Sequence, residues 1–585
     1  MLASPSSAEG HVTTSATSGA PVWRATVVGL VALLAIGIGA ALSAYLLGGR
    51  GAGMGAAASY VPADAPMYLE IRMQPSAEQD AALRELLRRF PAIDGVDLDR
   101  PLAESLTARL DELLATEGVS VSWAQDVAPW FDGRIGLALT SASFVTPPTD
   151  PAAPALPPLL FMAGVTDADA ASAAMERILA TVDASQELTR SEHAGVTIVE
   201  ASAGGAYAVT PDQLLFAPSA AEIRAALDAH ASGETLAASA EMGGYAARLP
   251  ADWIMFGTND FTHVMAVALA QMGTQSPEMV EAFETLMENQ PMRSAYAVSA
   301  TADGIAMDIL SDAPTGALTP ANSERGLADE VPGDVILFSD GGNLGPALAG
   351  LVTSLKSGLA ADPSMAEQIA TAEAALGADL EELVSWIGDG AVVVGWEEDM
   401  PYAGMVLVPT DVAEARRRLG QLTAFARLAA MDPASGVSMG EHDVVTGAGP
   451  VAVITISWQQ QLPDGGGGMG SAPIIVLEYA ITDDRVLIGL GEPFVRRALD
   501  LAESDSLAAD ARFAESVATL GGASNVGTMW VDFDRMREAF EPMIPDPDGF
   551  YEQNIQQWVA PLDRFVSVTR LDGAELETHA VLFVE

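Results

Sequence analysis

The sequence predicts an α+β fold in which a single N-terminal transmembrane helix is followed by a tandem duplication of mostly antiparallel sheet domains, with helices packed on one face of each sheet. Three observations lead to this prediction. An uncharged apolar run lies near the start of the chain, and patterns typical of strands and helices alternate after it. The segment Ala206–Asp228 is also echoed without a gap by Glu478–Asp500.

The composition indicates a folded and acidic protein with more than one domain. The chain has 585 residues, of which 49% are hydrophobic, and its formal net charge is −51 at pH 7. This length exceeds what one hydrophobic core usually serves. Because the charge repels phosphate backbones, we expect no nucleic-acid partner. Cysteine is absent, which excludes disulfides, thiolate nucleophiles and cysteine-based metal sites.

The apolar run near the N-terminus predicts a membrane anchor. A helix needs about 20 apolar residues to cross the hydrocarbon core, and this run supplies them without a charged side chain. We therefore predict a disordered cytoplasmic tail over residues 1–21, a transmembrane helix over 22–48 that contacts the lipid bilayer, and a flexible glycine-rich tether over 49–59. A cleaved signal peptide is the alternative interpretation.

The anchor also predicts where the protein is located. Arg24 and Arg50 flank the apolar run, so the distribution of positive charge alone leaves the orientation open. No later run has spanning length, and an N-terminal anchor of this kind commonly translocates the polypeptide on its C-terminal side. We therefore expect a single-pass protein of the cell membrane with the bulk of the chain outside the cytoplasm.

The rest of the chain predicts two related halves. Strand and helix patterns occur in the same order in residues 60–312 and 331–585, which we predict to be the first and second α+β repeats, joined by a linker over 313–330. The stretch "YVPADAPMYLEI" is answered by "EVPGDVILFSDG", and "PWFDGRIGLALT" is answered by "SWIGDGAVVVGW". Short hairpin connections between the strands predict mostly antiparallel sheets.

Three stretches of the first half resemble a known bacterial family. These are "YVPADAPMYLEIRM", "RRFPAIDG" and "WAQDVAPWFDGRIGLAL", and the family is known as domain of unknown function 3352. The resemblance extends over nearly all of the chain after the apolar run. It implies an N-terminal membrane helix in front of a large extracytoplasmic α+β region, and it implies no catalytic residues.

No motif predicts a catalytic, cofactor-binding or metal site, and we assign none. The pairs Glu192–His193 and Glu441–His442 precede corresponding strands, but no third ligand has metal-site spacing nearby. The acidic loops at residues 94–99 and 546–553 carry oxygen ligands suited to calcium, yet neither has the twelve-residue loop pattern of a calcium-binding hand. We therefore predict no cofactor, with calcium as the alternative.

Several aromatic side chains are candidates for either core or ligand contacts. Trp130 and Trp386 occupy matching places before apolar strands. We expect them to anchor the two cores, with ligand stacking as the alternative. We expect His230, His263 and His579 to be structural or solvated.

These features together predict a membrane-anchored, extracytoplasmic binding or scaffolding module without enzymatic activity, located at the cell envelope. The groove between the two halves is the natural place for an envelope protein or a small ligand. Two alternatives stay open, an envelope hydrolase with an unrecognised active site and a ligand-sensing ectodomain. The ligand and the oligomeric state are not indicated by the sequence.

Overall fold

The structure is a computed structural model, and its strands run through both halves of the chain. It describes residues 54–585 apart from 94, 117–120, 143–156, 182–186, 203, 276–291, 316–318, 361–362, 398–399, 433–434, 448, 459–460, 464–468, 472–474, 492, 545 and 547–548. The strands are β1 Met67–Arg72, β2 Phe131–Leu139, β3 Leu159–Val165, β4 Leu188–His193, β5 Val196–Ala201, β6 Ala206–Val209, β7 Gln213–Ala217, β8 Met255–Asp260, β9 Arg293–Ala300, β10 Gly304–Asp312, β11 Leu337–Gly341, β12 Ile387–Glu397, β13 Met400–Pro409, β14 Val437–Thr446, β15 Gly449–Trp458, β16 Gln461–Pro463, β17 Met469–Ser471, β18 Ile475–Ile481, β19 Val486–Leu490, β20 Gly527–Asp532, β21 Leu562–Asp572 and β22 Glu575–Val584.

Helices connect the strands, and several begin at side chains that cap them. Ser76 accepts a hydrogen bond from the Gln79 N–H at 3.1 Å, which satisfies an amide that the helix leaves free. The α-helices are α1 Ala77–Leu87, α2 Leu102–Thr116, α3 Ala168–Thr181, α4 Ala220–Ser232, α5 Ala240–Arg248, α6 Thr262–Gln275, α7 Leu344–Ala360, α8 Pro363–Leu376, α9 Val412–Ala429, α10 Pro493–Leu499, α11 Ala511–Leu520, α12 Phe533–Phe540, α13 Phe550–Asn554 and α14 Gln556–Val559. Shorter helical turns span Ala56–Tyr60, Trp123–Val127, Leu236–Ala238, Leu327–Glu330, Glu381–Leu383, Glu503–Asp505, Leu507–Ala509 and Glu541–Met543.

Twenty of the described strands form one continuous antiparallel sheet, and β16 pairs only with β17 in a separate hairpin. The strand pairings give the order β4-β5-β6-β7-β3-β2-β1-β8-β9-β10-β22-β21-β20-β11-β12-β13-β19-β18-β15-β14. Counted inward from either edge of the sheet, the ten strands of one half follow in the same order as the ten corresponding strands of the other half. The order of the strands is therefore symmetric about the β10–β22 pair.

The centre of this symmetry is a pair of equivalent residues. Ile309 lies five residues after Gly304, and Thr578 lies five residues after Gly573, the glycines of the two matching hairpin turns. Ile309 and Thr578 face each other in the β10–β22 ladder, which contains nine residue pairs. The last strand of each half thus pairs with its own counterpart.

This ladder corrects the predicted pair of separate sheet domains. The sheet runs without interruption from one half into the other, because β10 and β22 each offer a free edge that the other completes. Ion pairs add to the junction: the Arg248 guanidinium contacts the carboxylates of Glu575, Glu577 and Asp572, the last at 3.0 Å. The boundaries at residues 312 and 331 stay predictions.

Helices cover both faces of the sheet, so the prediction of helices on one face is wrong. On β8, Phe256 belongs to the core that also contains Ile223 of α4 and Tyr245 of α5. The neighbouring Met255 packs on the opposite face, against the core that contains Leu83 of α1. Successive residues of a strand point to opposite faces, and both faces are apolar here. A strand that is buried on both faces needs helices on both sides.

The predicted membrane anchor is also corrected. Among the helices in the described part of the chain, none has the length and the apolar character needed to cross a membrane. Residues 22–48, for which the sequence predicted a transmembrane helix, lie outside the described residues, as do residues 1–21. The single N-terminal membrane helix is therefore not retained as part of the fold, and neither is the single-pass membrane localisation that rested on it.

The segment in front of β1 packs into the core of the first half. Ala58 and Tyr60, in the turn Ala56–Tyr60, are buried. The Gly55 N–H donates to Glu70 Oε2 at 2.8 Å, and the Tyr68 hydroxyl donates to the same oxygen at 2.6 Å. Residues 56–59, part of the predicted tether, are thus held against the sheet.

The predicted linker is packed in the corresponding way against the second half. Leu327 is buried, and Arg325 Nε donates to Asp340 Oδ2 at 2.9 Å. Arg325 and Asp340 form in the second half the contact that Gly55 and Glu70 form in the first, with an arginine side chain in place of a backbone amide. Residues 323–330 therefore belong to the folded second half.

Candidate functional site

A cleft lies at one end of the strands β12, β11, β20 and β21. It has two adjoining compartments, of about 810 Å³ and about 600 Å³, which share Asp334 and Arg535 in their linings. The larger compartment lies between Ile336, Trp396 and the first turns of α12. The smaller compartment lies between the Pro332–Asp334 turn and the segment from Asp500 to Asp510.

The sheet itself positions the wall that α12 supplies. The Asp532 N–H, at the end of β20, donates to the Ile336 carbonyl at 2.8 Å. The Asp532 side chain then accepts from the Arg535 N–H at 3.0 Å, so that the helix begins directly where the strand ends. With no loop between strand and helix, the first turn of α12 is fixed over the strand ends.

Asp532 lines the larger compartment and is linked through Arg512 to a second buried carboxylate, Asp563; these three residues are called the floor below. The side chains of Asp532 and Asp563 are each only 1% exposed. Arg512 bridges them, because its Nη1 lies 2.8 Å from Asp563 Oδ1 and its Nη2 contacts Asp532 Oδ2. Burial alone would lower the pKa of Arg512, but the carboxylates of Asp532 and Asp563 hold it above its ordinary value. The floor is thus a network of ion pairs that the fold holds in place.

Arg535 is held by this floor but keeps one donor free. Its Nε lies 3.1 Å from Asp532 Oδ2. Its Nη1 is buried and has no hydrogen-bond partner among the described residues. A buried donor without a partner loses its hydration without compensation, which costs about 1–3 kcal/mol and more for a charged group. An acceptor that reached this nitrogen would remove that cost.

Another arginine, Arg497, lines the smaller compartment and contacts Asp334, which lines both compartments. Arg497 Nη2 lies 2.5 Å from Asp334 Oδ1, and Arg497 Nη1 donates to the Tyr402 hydroxyl at 2.9 Å. Burial raises the pKa of Tyr402 to about 12, so its hydroxyl stays protonated at neutral pH. Asp334 and Arg497 therefore largely neutralise each other.

The remaining wall of the larger compartment is apolar, with one carboxylate at its rim. Trp396 packs edge-on against Phe540 with ring centroids 5.1 Å apart, and Met543 is 60% exposed beside them. Glu538 lies one turn after Arg535 on α12, lines the same compartment, and has no ion-pair partner among the described residues. The cleft thus combines a free guanidinium nitrogen, a free carboxylate and an aromatic wall.

The equivalent place in the first half has a different set of charges. Asp260 ends β8 as Asp532 ends β20. There, however, an acidic residue of α5, Glu241, contacts Arg293 at the start of β9. In the second half the charges are exchanged: α11 carries the arginine, Arg512, and β21 carries the acid, Asp563. The buried network of two aspartates is therefore particular to the second half.

The groove between the halves holds a smaller cavity of about 280 Å³. Asp308 of β10 and His579 of β22 line it, and His579 Nδ1 lies 2.5 Å from Asp308 Oδ1. This hydrogen bond raises the pKa of His579. A cavity thus lies where the two halves meet, the larger cleft lies within the second half, and the binding site expected between the halves stays a prediction.

The side chains singled out in the sequence do not come together at the cleft. His193 Nε2 lies 2.6 Å from Asp228 Oδ1, and His442 lies on the exposed edge strand β14. His230 stacks on Tyr60 with ring centroids 4.1 Å apart. Among the described residues, no group of three or more histidine or acidic side chains is arranged to hold a metal ion.

The expectation for the two tryptophans is confirmed. Trp130 and Trp386 are each 3% exposed, and their Nε1–H groups donate to the carbonyls of Asp126 and Leu383, at 2.6 and 2.7 Å. Both therefore anchor cores. In the acidic loop at residues 546–553, Asp546 accepts hydrogen bonds from backbone amides at the start of α13.

Sequence reasoning missed Arg512, Arg535 and Glu538. They come from places that are distant along the chain or lack any motif, and the stretch "VDFDRMREAF" is typical of an ordinary capped amphipathic helix. The only available signal was a difference between the halves. Where the repeats otherwise agree, the second half exchanges Glu241 for Arg512.

Comparison with known proteins shows the family. The model of a family described as a protein of unknown function, DUF3352, matches residues 26–548. The chain belongs to the DUF3352 family. This match covers most of the chain and the strands as far as β20, and the residues that line the cleft of this DUF3352 protein lie within the matched region. No curated protein matches the DUF3352 chain.

Among solved structures, this DUF3352 protein is similar to three crystal forms of TP0453. Crystal form III has a TM-score of 0.22 at 7% identity and covers 44% of this chain and 80% of that one. Crystal form I has a TM-score of 0.19 at 6% identity, with 45% and 81% covered, and crystal form IV has 0.19 at 10% identity, with 44% and 79% covered. At these TM-scores the likeness supports no argument about fold or function.

Proposed function

We propose that this DUF3352 protein is a ligand-binding protein whose cleft takes a small organic molecule that carries a carboxylate. The observation that carries the proposal is the buried Nη1 of Arg535, which has no hydrogen-bond partner among the described residues and belongs to a side chain that lines both compartments of the cleft. A guanidinium donates to a carboxylate in a fixed planar geometry, which makes arginine the preferred residue for this recognition.

The rigidity of the floor supports binding. Because Asp532, which Arg512 holds in place, pairs with Arg535, the guanidinium does not need to be ordered when a ligand arrives. Binding sites that are ordered beforehand avoid the entropic cost of fixing long side chains. Most of the free energy of a new hydrogen bond can therefore contribute to the affinity for the ligand.

The wall and the rim restrict the ligand further. Trp396 and Met543 give the larger compartment an apolar side, which suits a ligand with an aromatic or aliphatic body. The carboxylates of Asp334, Asp534 and Glu538 line the same compartment as Arg535, and they would repel a multiply charged phosphate. A single carboxylate on an apolar body fits this combination better.

The test is binding of 3-phenylpropanoate, which carries one carboxylate and one aromatic ring, measured by isothermal titration calorimetry on the full chain. We expect a dissociation constant of about 1 mM or lower, which corresponds to about −4 kcal/mol. The variant Arg535→Met keeps an unbranched apolar side chain and removes the guanidinium donors, so binding should fall at least about tenfold.

Arg417→Met is the matched control, because Arg417 is a half-exposed arginine on α9 in the same half and does not line the cleft. This variant should bind like the wild type. Thermal unfolding of both variants checks that they fold. Failure of 3-phenylpropanoate to bind at about 10 mM, or equal loss in both variants, would contradict the proposal.

A further inference from the structure

We infer that the ligand of this cleft is zwitterionic, an α-amino acid with an apolar side chain, which places its carboxylate on Arg535 and its ammonium group on Glu538. This inference rests on the proposed function and names the ligand class for the same site. It is based on a guanidinium nitrogen and a carboxylate that lack partners among the described residues and belong to side chains lining one compartment.

The spacing of the two groups fits a small zwitterion. Arg535 and Glu538 are three residues apart on α12, so they are neighbours on one helix face, with about 5–6 Å between Cβ atoms. They form no ion pair with each other, since Arg535 is directed to Asp532 instead. A carboxylate and an ammonium group on one carbon atom can contact both at once.

The other carboxylates of the cleft are already engaged. Asp334 is paired with Arg497 at 2.5 Å, and Asp532 is buried under Arg512 and Arg535. Asp534 contacts Arg537. Glu538 is the lining carboxylate of the larger compartment that has no ion-pair partner among the described residues. A ligand cation therefore has one preferred position.

The apolar wall accounts for the side chain of the ligand. Trp396 lines the compartment, as do Pro542 and Met543 just past the end of α12. An apolar side chain pointing away from the zwitterionic end would meet these residues, and the aromatic face of a tryptophan suits a ring or a branched chain. A volume of about 810 Å³ accommodates any single amino acid.

The experiment compares L-phenylalanine with three probes that each lack one charge: 3-phenylpropanoate and N-acetyl-L-phenylalanine lack the ammonium group, and L-phenylalanine amide lacks the carboxylate. Each is titrated calorimetrically into the full chain. L-Phenylalanine should bind about fivefold or more tightly than 3-phenylpropanoate and N-acetyl-L-phenylalanine. It should bind at least about tenfold more tightly than the amide.

The variant Glu538→Gln then separates the two contacts. It should reduce the affinity for L-phenylalanine to that of 3-phenylpropanoate, and it should leave the affinity for 3-phenylpropanoate unchanged. Glu552→Gln is the matched control, because Glu552 is an exposed glutamate on α13 that does not line the cleft. It should bind all probes like the wild type.

The outcomes distinguish this inference from the function on which it rests. If 3-phenylpropanoate and L-phenylalanine bind equally well, or if Glu538→Gln leaves their difference intact, the zwitterionic ligand is refuted and the carboxylate-binding function stands. If no probe binds, both are refuted. If only L-phenylalanine amide binds, the site recognises a cation, and the role assigned to Arg535 is wrong.

Discussion

The substitution Asp563→Ala tests whether the buried charge network stabilises the second half. Asp563 is 1% exposed and contacts two arginines, Arg512 at 2.8 Å and Arg564. Removing one partner of a fully buried ion pair typically costs about 3–5 kcal/mol, but the side chains of Arg512 and Arg564 are 35% and 17% exposed. Arg512 keeps Asp532, and Arg564 keeps the Ser516 hydroxyl at 3.2 Å. We therefore expect a loss near the lower limit, about 3 kcal/mol.

The loss can be measured by equilibrium urea unfolding monitored by tryptophan fluorescence. Trp530 is a local reporter, because the Arg512 guanidinium carbon lies 5.8 Å from the centre of its ring. A lower midpoint at an unchanged slope would show that stability, and not the compactness of the unfolded chain, has changed. The change in the free energy of unfolding is the shift of the midpoint multiplied by that slope.

Asp534→Ala is the control for this measurement. Asp534 contacts Arg512 at 3.6 Å and also contacts Arg537, but its side chain is 44% exposed. Solvent screens such pairs, so the loss should stay within about 1 kcal/mol. If Asp563→Ala costs no more than Asp534→Ala, burial does not strengthen this network and the reasoning about a rigid floor is wrong.

Three further substitutions test other parts of the fold by the same unfolding measurement. Burial raises the pKa of Glu70, so ionisation of this side chain opposes folding above about pH 4.3, the ordinary pKa of glutamate. Glu70→Gln should therefore raise the unfolding midpoint at pH 7 and leave it unchanged at about pH 4. An equal effect at both pH values would contradict this. The hydrogen bond to Asp308 raises the pKa of His579, so the pair stabilises fully below about pH 6.5, and this contribution is lost as the pH rises through the raised value. The side chain of His579 is 43% exposed, so His579→Gln should lower the free energy of unfolding by up to about 1 kcal/mol at about pH 5.5 and leave it unchanged at about pH 9. A larger loss at pH 9 than at pH 5.5 would contradict this. A Cβ at Gly395 would lie 2.2 Å from the Tyr402 ring, so Gly395→Ala should cost about 1–3 kcal/mol. Gly440→Ala, with its nearest atom at 3.8 Å, should cost far less, and similar losses would refute the packing argument.

Local patterns in the sequence predicted individual elements well. The segment Ala206–Asp228 forms β6, β7 and α4, and Glu478–Asp500 contains β18, β19 and α10 at matching places. Turn residues and caps act over a few positions, so they can be recognised in one stretch of sequence. Trp130 and Trp386 were predicted correctly for the same reason, because each directly precedes an apolar strand.

Long-range pairing was not predictable in this way. The stretch "LLFMAGV" of β3 is apolar at every position, which is typical of a strand covered on both faces, yet the short hairpin connections favoured helices on one face only. Nothing local to β10 or β22 indicates that the two pair with each other. The cleft was missed because Arg512, Arg535 and Asp563 belong to α11, α12 and β21, which only the folded chain brings together around Asp532.

The central β10–β22 ladder determines how this chain can be divided. A fragment that ended at residue 312 would leave nine residues of β10 with unpaired backbone groups, and exposed strands of this kind recruit other chains. Because Ile309 faces its own counterpart Thr578 in this ladder, two such fragments could align antiparallel through their own β10 strands. In the intact polypeptide the partner is tethered and present at high effective concentration, so this contact closes within one molecule instead of producing a dimer.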